Sequence, residues 1–369
     1  MAQFGDFTVD RNSTKYVLGS GGTIISYATD EPAFEFNADG SYKGILVEPA
    51  ATNLLTYSDD FSDASWNAFA KTNTISADTI VSPDGTSNAD AITAGQTDSS
   101  LAKSGISGSA STTYTFSFWG KVPSGTQAIK CQIANQSNVT LGGSEEFVFT
   151  TQWQRFSFNR TLGAGDTGMT VAIGGFSSFN TGDIIHLWGA QVEEGPIATS
   201  YIPTTTASVT RTKDDITLGS ASSLIGQTEG TLYVEVDWKG ATGTTQHILD
   251  VTDGTNNNRL VIYNSTSVEL RMVARANNVL IVDQGVSSSG FSGIQKIALA
   301  YKTDDFELYR NGSSIASDTS ASLTALATLT DIDLGQRYNT NEQANMWIRA
   351  VALYPKRLSD AEAQALTTL

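Results

Sequence analysis

Apolar and polar residues alternate along most of this chain in short runs broken by Gly, Ser, Asp and Asn. Three runs define the pattern: Thr113–Val122, Trp153–Arg160 and Asp183–Val192. Successive side chains of a β-strand point to opposite faces, so a period of two marks a sheet with one buried side. Burying Phe116 and Phe118 turns Thr115, Ser117, Trp119 and Lys121 outward, and burying Phe156 and Phe158 turns out Trp153, Arg155, Ser157 and Asn159. With Ile185 and Leu187 inward, His186 and Trp188 face outward as well.

Further strands are predicted at Thr231–Trp238, Arg259–Tyr263, Val268–Val273, Ile294–Tyr301, Phe306–Tyr309 and Met346–Tyr354, with Asn311-Gly312 as a two-residue hairpin turn. Tyr16–Tyr27 turns at Gly21-Gly22 and Ala33–Val47 turns around Asp39-Gly40, giving two hairpins in the first 50 residues. Two hairpins bury little alone. This segment is therefore expected to pack on its own second domain, an assembly partner or another copy. The exception to the β pattern is the C-terminus, where Ser359 followed by Glu362 predicts a capping box and a helix of about ten residues. The expected fold is all-β: a small N-terminal β segment (1–50) for attachment or oligomerisation, an antiparallel sandwich (51–205), an extended linker near Pro203–Arg211, and a second sandwich (206–369) closed by one short helix.

Composition narrows the function. The 369 residues carry 22 Lys and Arg against 38 Asp and Glu, a net charge of −16, and no segment forms a basic arm. A phosphate-gripping groove or a polybasic membrane patch needs the opposite balance, so neither nucleic-acid binding nor membrane insertion is expected. One cysteine, Cys131, excludes an intrachain disulfide, and with only His186 and His247 a Cys/His zinc site lacks ligands. The start MAQFGDFTVD has no signal-peptide pattern and no run of about 18 apolar residues occurs, so folding in a cytosol is expected.

Three stretches resemble known families. Gly44–Phe61, with Trp66 after it, resembles a segment of tailed-bacteriophage virion proteins, and Leu187–Thr204 is similar to its usual partner. The sequence between them is similar to jelly-roll carbohydrate-binding modules. Lys296–Tyr301, Phe306–Gly312 and Ala350–Glu362 together resemble concanavalin-like laminin-G sandwiches. The resemblance implies a virion surface protein, a fibre, spike or head decoration. Such a protein would be assembled in the host cytoplasm, commonly as a trimer, with other virion proteins and a host surface glycan as partners.

Catalysis has one candidate. Glu235 and Asp237 share a strand face, as in concanavalin-like glycosidases, and a retaining mechanism needs two carboxyls about 5 Å apart. Lys239 and Gly240 stand where a further carboxylate belongs, so no catalytic residue is expected. For glycan binding, the outward set Trp119, Trp153, Arg155, Asn159, His186 and Trp188 offers rings to stack on pyranose C–H faces and polar groups for hydroxyls. The same tryptophans would also suit a face covered by the N-terminal segment, a neighbouring protomer or the opposite sheet. Asp250–Asn258 has calcium-like composition but no EF-hand spacing, and plain turns use the same residues; no metal or cofactor is expected. The functional expectation is a non-enzymatic virion protein displaying glycan-binding sandwiches for host adsorption. Its alternatives are a capsid decoration without sugar binding and a glycan depolymerase.

Overall fold

A computed structural model describes residues 6–67, 69–240, 244–266, 268–288, 291–338 and 342–369. The all-β expectation is met: antiparallel sheets form two sandwiches, and one α-helix, Asp360–Thr367, lies at the C-terminus.

The first sandwich pairs a five-stranded sheet, ordered Gln154–Thr161, Thr113–Lys121, Ile184–Glu194, Ala89–Ala94 and Asn73–Ile80, with a four-stranded sheet, ordered Glu145–Phe149, Gln127–Asn135, Gly168–Gly174 and Ser100–Ser107. Phe116 lies opposite Phe158 and Phe118 opposite Phe156. These rings meet Phe149, Ile133, Val171 and Leu187 in one core. Cys131 is wholly buried there, and burial pushes its thiol pKa up, which makes it a packing residue rather than a reactive one.

The second sandwich takes strands from both ends of the chain. Thr8–Asp10 joins Asp215–Leu218 at one edge of a seven-stranded sheet that continues through Asp331–Leu334, Gln246–Thr252, Arg259–Asn264, Glu269–Ala276 and Val279–Ser287. In the facing sheet, Phe34–Phe36 and Tyr42–Val47 extend Met346–Tyr354, with Met346 opposite Val47. The first sandwich is thus inserted between the early and late strands of the second. Pro203–Arg211 is not a free linker: Val209–Arg211 pairs with Ala51–Asn53 where the chain leaves and re-enters. Sequence pattern identifies such strands but not partners some 300 positions away.

The segments Gly44–Phe61 and Leu187–Thr204 interlock at this crossing. The Asn53 side-chain amide donates to the carbonyls of Ala190 (3.1 Å) and Ile202 (2.9 Å) while its oxygen accepts from the Val192 N–H (3.1 Å). Ser58 Oγ lies 2.6 Å from the Tyr201 hydroxyl, and Thr204 Oγ1 donates to the Leu55 carbonyl at 2.7 Å. Buried polar groups need such partners, and here each segment supplies them to the other.

At the C-terminus, Ser359 Oγ accepts from the Glu362 N–H and Glu362 accepts from the Ser359 N–H, completing the capping box. Ala363 seats the helix on Tyr233, Ala298, Ala300 and Tyr309. Asn311 and Gly312, both with positive φ, make the predicted hairpin turn.

On the second sandwich, Asp250 and Asp333 lie directly opposite each other, and both are buried. Burial, with Asp250, Asp215 and Asp331 adding to it and a Thr217 hydrogen bond opposing it, pushes the Asp333 pKa up to about 7. A raised folded-state value means that the stabilising contribution is full below the unfolded value near 4 and is lost as pH rises through about 7. Asp333→Asn is therefore expected to raise the thermal midpoint by a few degrees at pH 8 and to leave it nearly unchanged at about pH 3.5, below the unfolded value, as read by calorimetry.

Candidate functional site

The five-stranded sheet sets the site. In its ladder Trp119 lies opposite Arg155 on one side and Trp188 on the other, Lys121 opposite His186, and Thr115 opposite Asn159. All six predicted residues stand on the outer face of this one sheet, with Ile185, Leu187, Phe156 and Phe158 on the inner side. A bulge between Ser117 and Trp119 re-aims the indole, and Gly189 at φ +63° permits it: a Cβ there would stand 2.9 Å from the Trp119 ring.

That face is not open. The hairpin Lys15–Leu18/Ile24–Tyr27 covers part of it, with the Ile24 N–H donating to the Pro83 carbonyl at 2.8 Å and Tyr16 bridging Tyr201. Trp188 packs with Ile24, Ala89 and Tyr201 and is only 2% exposed. His186 is 8% exposed, and burial together with Lys121 lowers its pKa. Both therefore depart from the expectation of exterior contact residues. Alternation sets which face a side chain takes, and has no bearing on what a remote segment lays over that face. Asn159 is exposed but donates to the Pro196 carbonyl at 2.9 Å, away from the opening.

Trp119, Trp153 and Arg155 remain accessible, and they line a cleft of about 990 Å³ where the two sandwiches and the hairpin meet. Tyr16 and Ile24 of the hairpin and Glu35, Lys239 and Trp347 of the second sandwich complete its walls. Trp153 Nε1 donates to the Val81 carbonyl at 2.9 Å, and Trp347 Nε1 donates to Glu35 Oε2 at 2.7 Å, so both indoles are held in place. Every one of these three tryptophans carries a cation. Arg155 Cζ is 4.5 Å from the Trp119 ring centroid, Lys121 Nζ is 4.7 Å from that of Trp153, and Lys43 and Lys239 are 3.5 and 4.9 Å from that of Trp347. Arg155 also donates to the Thr199 carbonyl (2.7 Å) and to Ser117 Oγ (3.1 Å).

Behind the cleft lies a buried ionic cluster. Asp214 binds Arg11 (2.9 Å) and Lys15 (2.6 Å), while Glu48 binds Lys15 (3.2 Å), Lys239 (3.1 Å) and Arg211 (3.6 Å) and accepts from the Ser200 N–H (2.9 Å). The hairpin, the crossing strands and both sandwiches are thus tied at one point. Sequence reading found neither this cluster nor Glu35, Lys239 and Trp347 as cleft residues. The alternation about Ile348 was the one available signal, since it turns Trp347 outward.

Elsewhere the predicted chemistry is internally engaged. Glu235 accepts from Arg349 Nε at 2.7 Å and from the Tyr233 hydroxyl at 3.3 Å. Asp253 caps its own turn by accepting from Thr255 and Asn258. His247 stacks on Tyr263 and lies 3.3 Å from Glu342 in a shallow concavity of about 170 Å³, whose Arg259 and Arg337 pair with Asp250 and Glu342. Among the described residues no group of three or more His, Cys, Asp or Glu side chains is placed to hold a metal ion.

Residues 53–175 match the family model of a carbohydrate binding domain. The match takes in Trp119, Trp153 and Arg155, and stops before His186, Trp188 and the strand that carries them. No curated protein matches the chain. Among solved structures, the chain is similar to the IT-sialidase CBM40 of Ruminococcus gnavus at 17% identity, over 40% of this chain and 86% of that one, with a TM-score of 0.35. It is similar to a leech intramolecular trans-sialidase at 18% identity, over 39% of this chain and 24% of the other, with a TM-score of 0.33. The binding domain of botulinum neurotoxin DC, solved with rat synaptotagmin II, aligns at 17% identity over 42% of this chain and 40% of that one, with a TM-score of 0.36.

Proposed function

We propose that this protein is a non-enzymatic, glycan-binding β-sandwich protein of a phage virion surface, and that the cleft between its sandwiches is where a host saccharide docks during adsorption. The observation that carries the binding role is the coincidence of the carbohydrate-binding-domain match with three anchored indoles around one opening. A volume of about 990 Å³ is of the size that encloses several sugar rings. Indole faces stack on pyranose C–H groups, and the exposed Gln152 and Ser157 supply hydrogen-bonding groups on the same wall. The virion role is supported by the resemblance of Gly44–Phe61 and Leu187–Thr204 to virion segments, whose mutual packing forms the crossing beneath the cleft. Copies assembled as a trimer would turn a weak single site into useful avidity.

Catalysis is not part of this reading, because Glu235 is held by Arg349 at 2.7 Å and Lys239 and Gly240 follow Asp237 where a further carboxylate belongs. The test is titration of the purified protein with a panel of oligosaccharides, read by tryptophan fluorescence and calorimetry, together with imaging of virions carrying the labelled protein. Saturable binding without release of reducing ends, and label on the particle surface, are the expected results. Release of reducing ends would replace the binding role with a depolymerase. Saturable binding by a protein absent from particles would remove the virion role alone.

A further inference from the structure

We infer that the shallow concavity lined by Arg259, Arg275 and Arg337, on the outer face of the seven-stranded sheet, binds a compact oxyanion: a carboxylate, sulfate or phosphate group. It shares no lining residue with the cleft and does not depend on the glycan-binding reading.

The register of the sheet creates the site. Leu260, Ile262, Met272 and Ala274 enter the core, so Arg259, Val261, Tyr263, Val273 and Arg275 take the outer face. Arg259 then lies directly opposite Arg275, and Val261 opposite Val273. Like charges directly opposite in a ladder destabilise it. Arg337 brings a third guanidinium to the same concavity. Burial lowers the Arg259 pKa; Asp250 opposes the effect, and Arg337 and Arg275 add to it. Three guanidiniums thus repel one another at one spot of a protein whose net charge is −16.

The neighbouring acids are each engaged. Asp283 accepts from Arg271 Nε at 3.0 Å, Glu342 lies 2.8 Å from Arg337 and 3.3 Å from His247, and buried Asp250 lies 3.5 Å from Arg259. Arg275 is left over: among the described residues it makes no ion pair, and its Nη1 reaches the Asn278 carbonyl only at 3.4 Å. Arg259, 7% exposed, keeps an Nε with no hydrogen-bond partner. Guanidinium forks match the geometry of carboxylate, sulfate and phosphate oxygens, so an oxyanion seated among the three supplies the missing counter-charge. Val261 and Val273 give an apolar floor, and the stacked His247 and Tyr263 rings a flat wall, for the carbon skeleton that carries the charge. At about 170 Å³ the concavity is smaller than the roughly 300–1,000 Å³ of a drug-sized pocket, so it holds one charged group and its carrier rather than a chain of sugars.

The experiment titrates the full chain, at about 20 mM ionic strength, with inorganic sulfate, inorganic phosphate and glucuronate, and with glucose as the uncharged control. Binding is read by calorimetry and by imidazole NMR, since the chain has only two histidines and only His247 lines this concavity. At least one anion should bind with a dissociation constant of about 1 mM or tighter and shift the His247 resonances while those of His186 stay in place. Tighter binding of glucuronate than of both inorganic ions identifies a sugar acid as the source of the charge, and the reverse order a free oxyanion. Arg275→Gln breaks no ion pair, so it should keep the parent thermal midpoint while weakening anion binding about tenfold, and Arg275→Lys should retain most of the affinity. No anion-induced shift of His247, an equal shift with glucose, or undiminished anion binding in Arg275→Gln would each overturn the inference and leave the glycan reading of the cleft untouched.

Discussion

Asp214→Ala is expected to destabilise the protein by about 3–5 kcal/mol, because it strips the shared anion from two buried cations. Arg11 and Lys15 have fully buried side chains, and Asp214 lies 2.9 and 2.6 Å from them. Asp214 Oδ2 also accepts the Glu48 N–H at 2.9 Å, so truncation leaves a backbone donor orphaned together with excess positive charge. Urea unfolding monitored by fluorescence measures the loss. A change within about 0.5 kcal/mol, as at an ordinary surface position, would contradict the account. The same cluster has a pH signature. Although burial alone would raise the Glu48 pKa, Lys15, Lys239 and Arg211 hold it well below the usual carboxylate range. Its stabilising contribution is therefore present above the unfolded value and is lost progressively as pH falls from there through the depressed folded one.

The second large effect separates two tryptophans of the same sheet face. Trp188→Ala removes a ring that is 2% exposed and packed on Trp119 (5.2 Å between centroids) and Tyr201 (4.6 Å), and should cost about 3–5 kcal/mol. Trp153 is only half-buried at the cleft wall. Trp153→Ala should cost about 1–2 kcal/mol of stability while weakening saccharide binding by about tenfold or more, the usual worth of an aromatic anchor. Paired unfolding and binding titrations read both. Loss of binding in a folded Trp153→Ala protein supports the cleft; unchanged affinity would move the site elsewhere.

Much of the fold was legible because period-two alternation is local. Phe116, Phe118, Phe156 and Phe158 announce an inner face, and Ser359 with Glu362 announces the helix start. Partner choice is not local: Thr8 pairs with Thr217 and Met346 with Val47, and no run of neighbouring residues encodes either register. The candidate site was half legible for the same reason. Alternation put Trp119, Trp153, Arg155, Asn159, His186 and Trp188 on one face. Only long-range pairing brings Ile24 over Trp188 and adds Lys239 and Trp347 to the walls that Trp153 lines, making a cleft of that face. Charge was the least visible layer, since a strongly acidic composition gave no hint of cations gathered on three indoles.

The most direct measurement is a crystal structure of the full chain with the tightest-binding oligosaccharide of the panel. The account predicts sugar density between Trp119 and Trp153 on one wall and Trp347 on the other. Density confined to the outer face of the four-stranded sheet, or to the concavity around His247 and Tyr263, would contradict it.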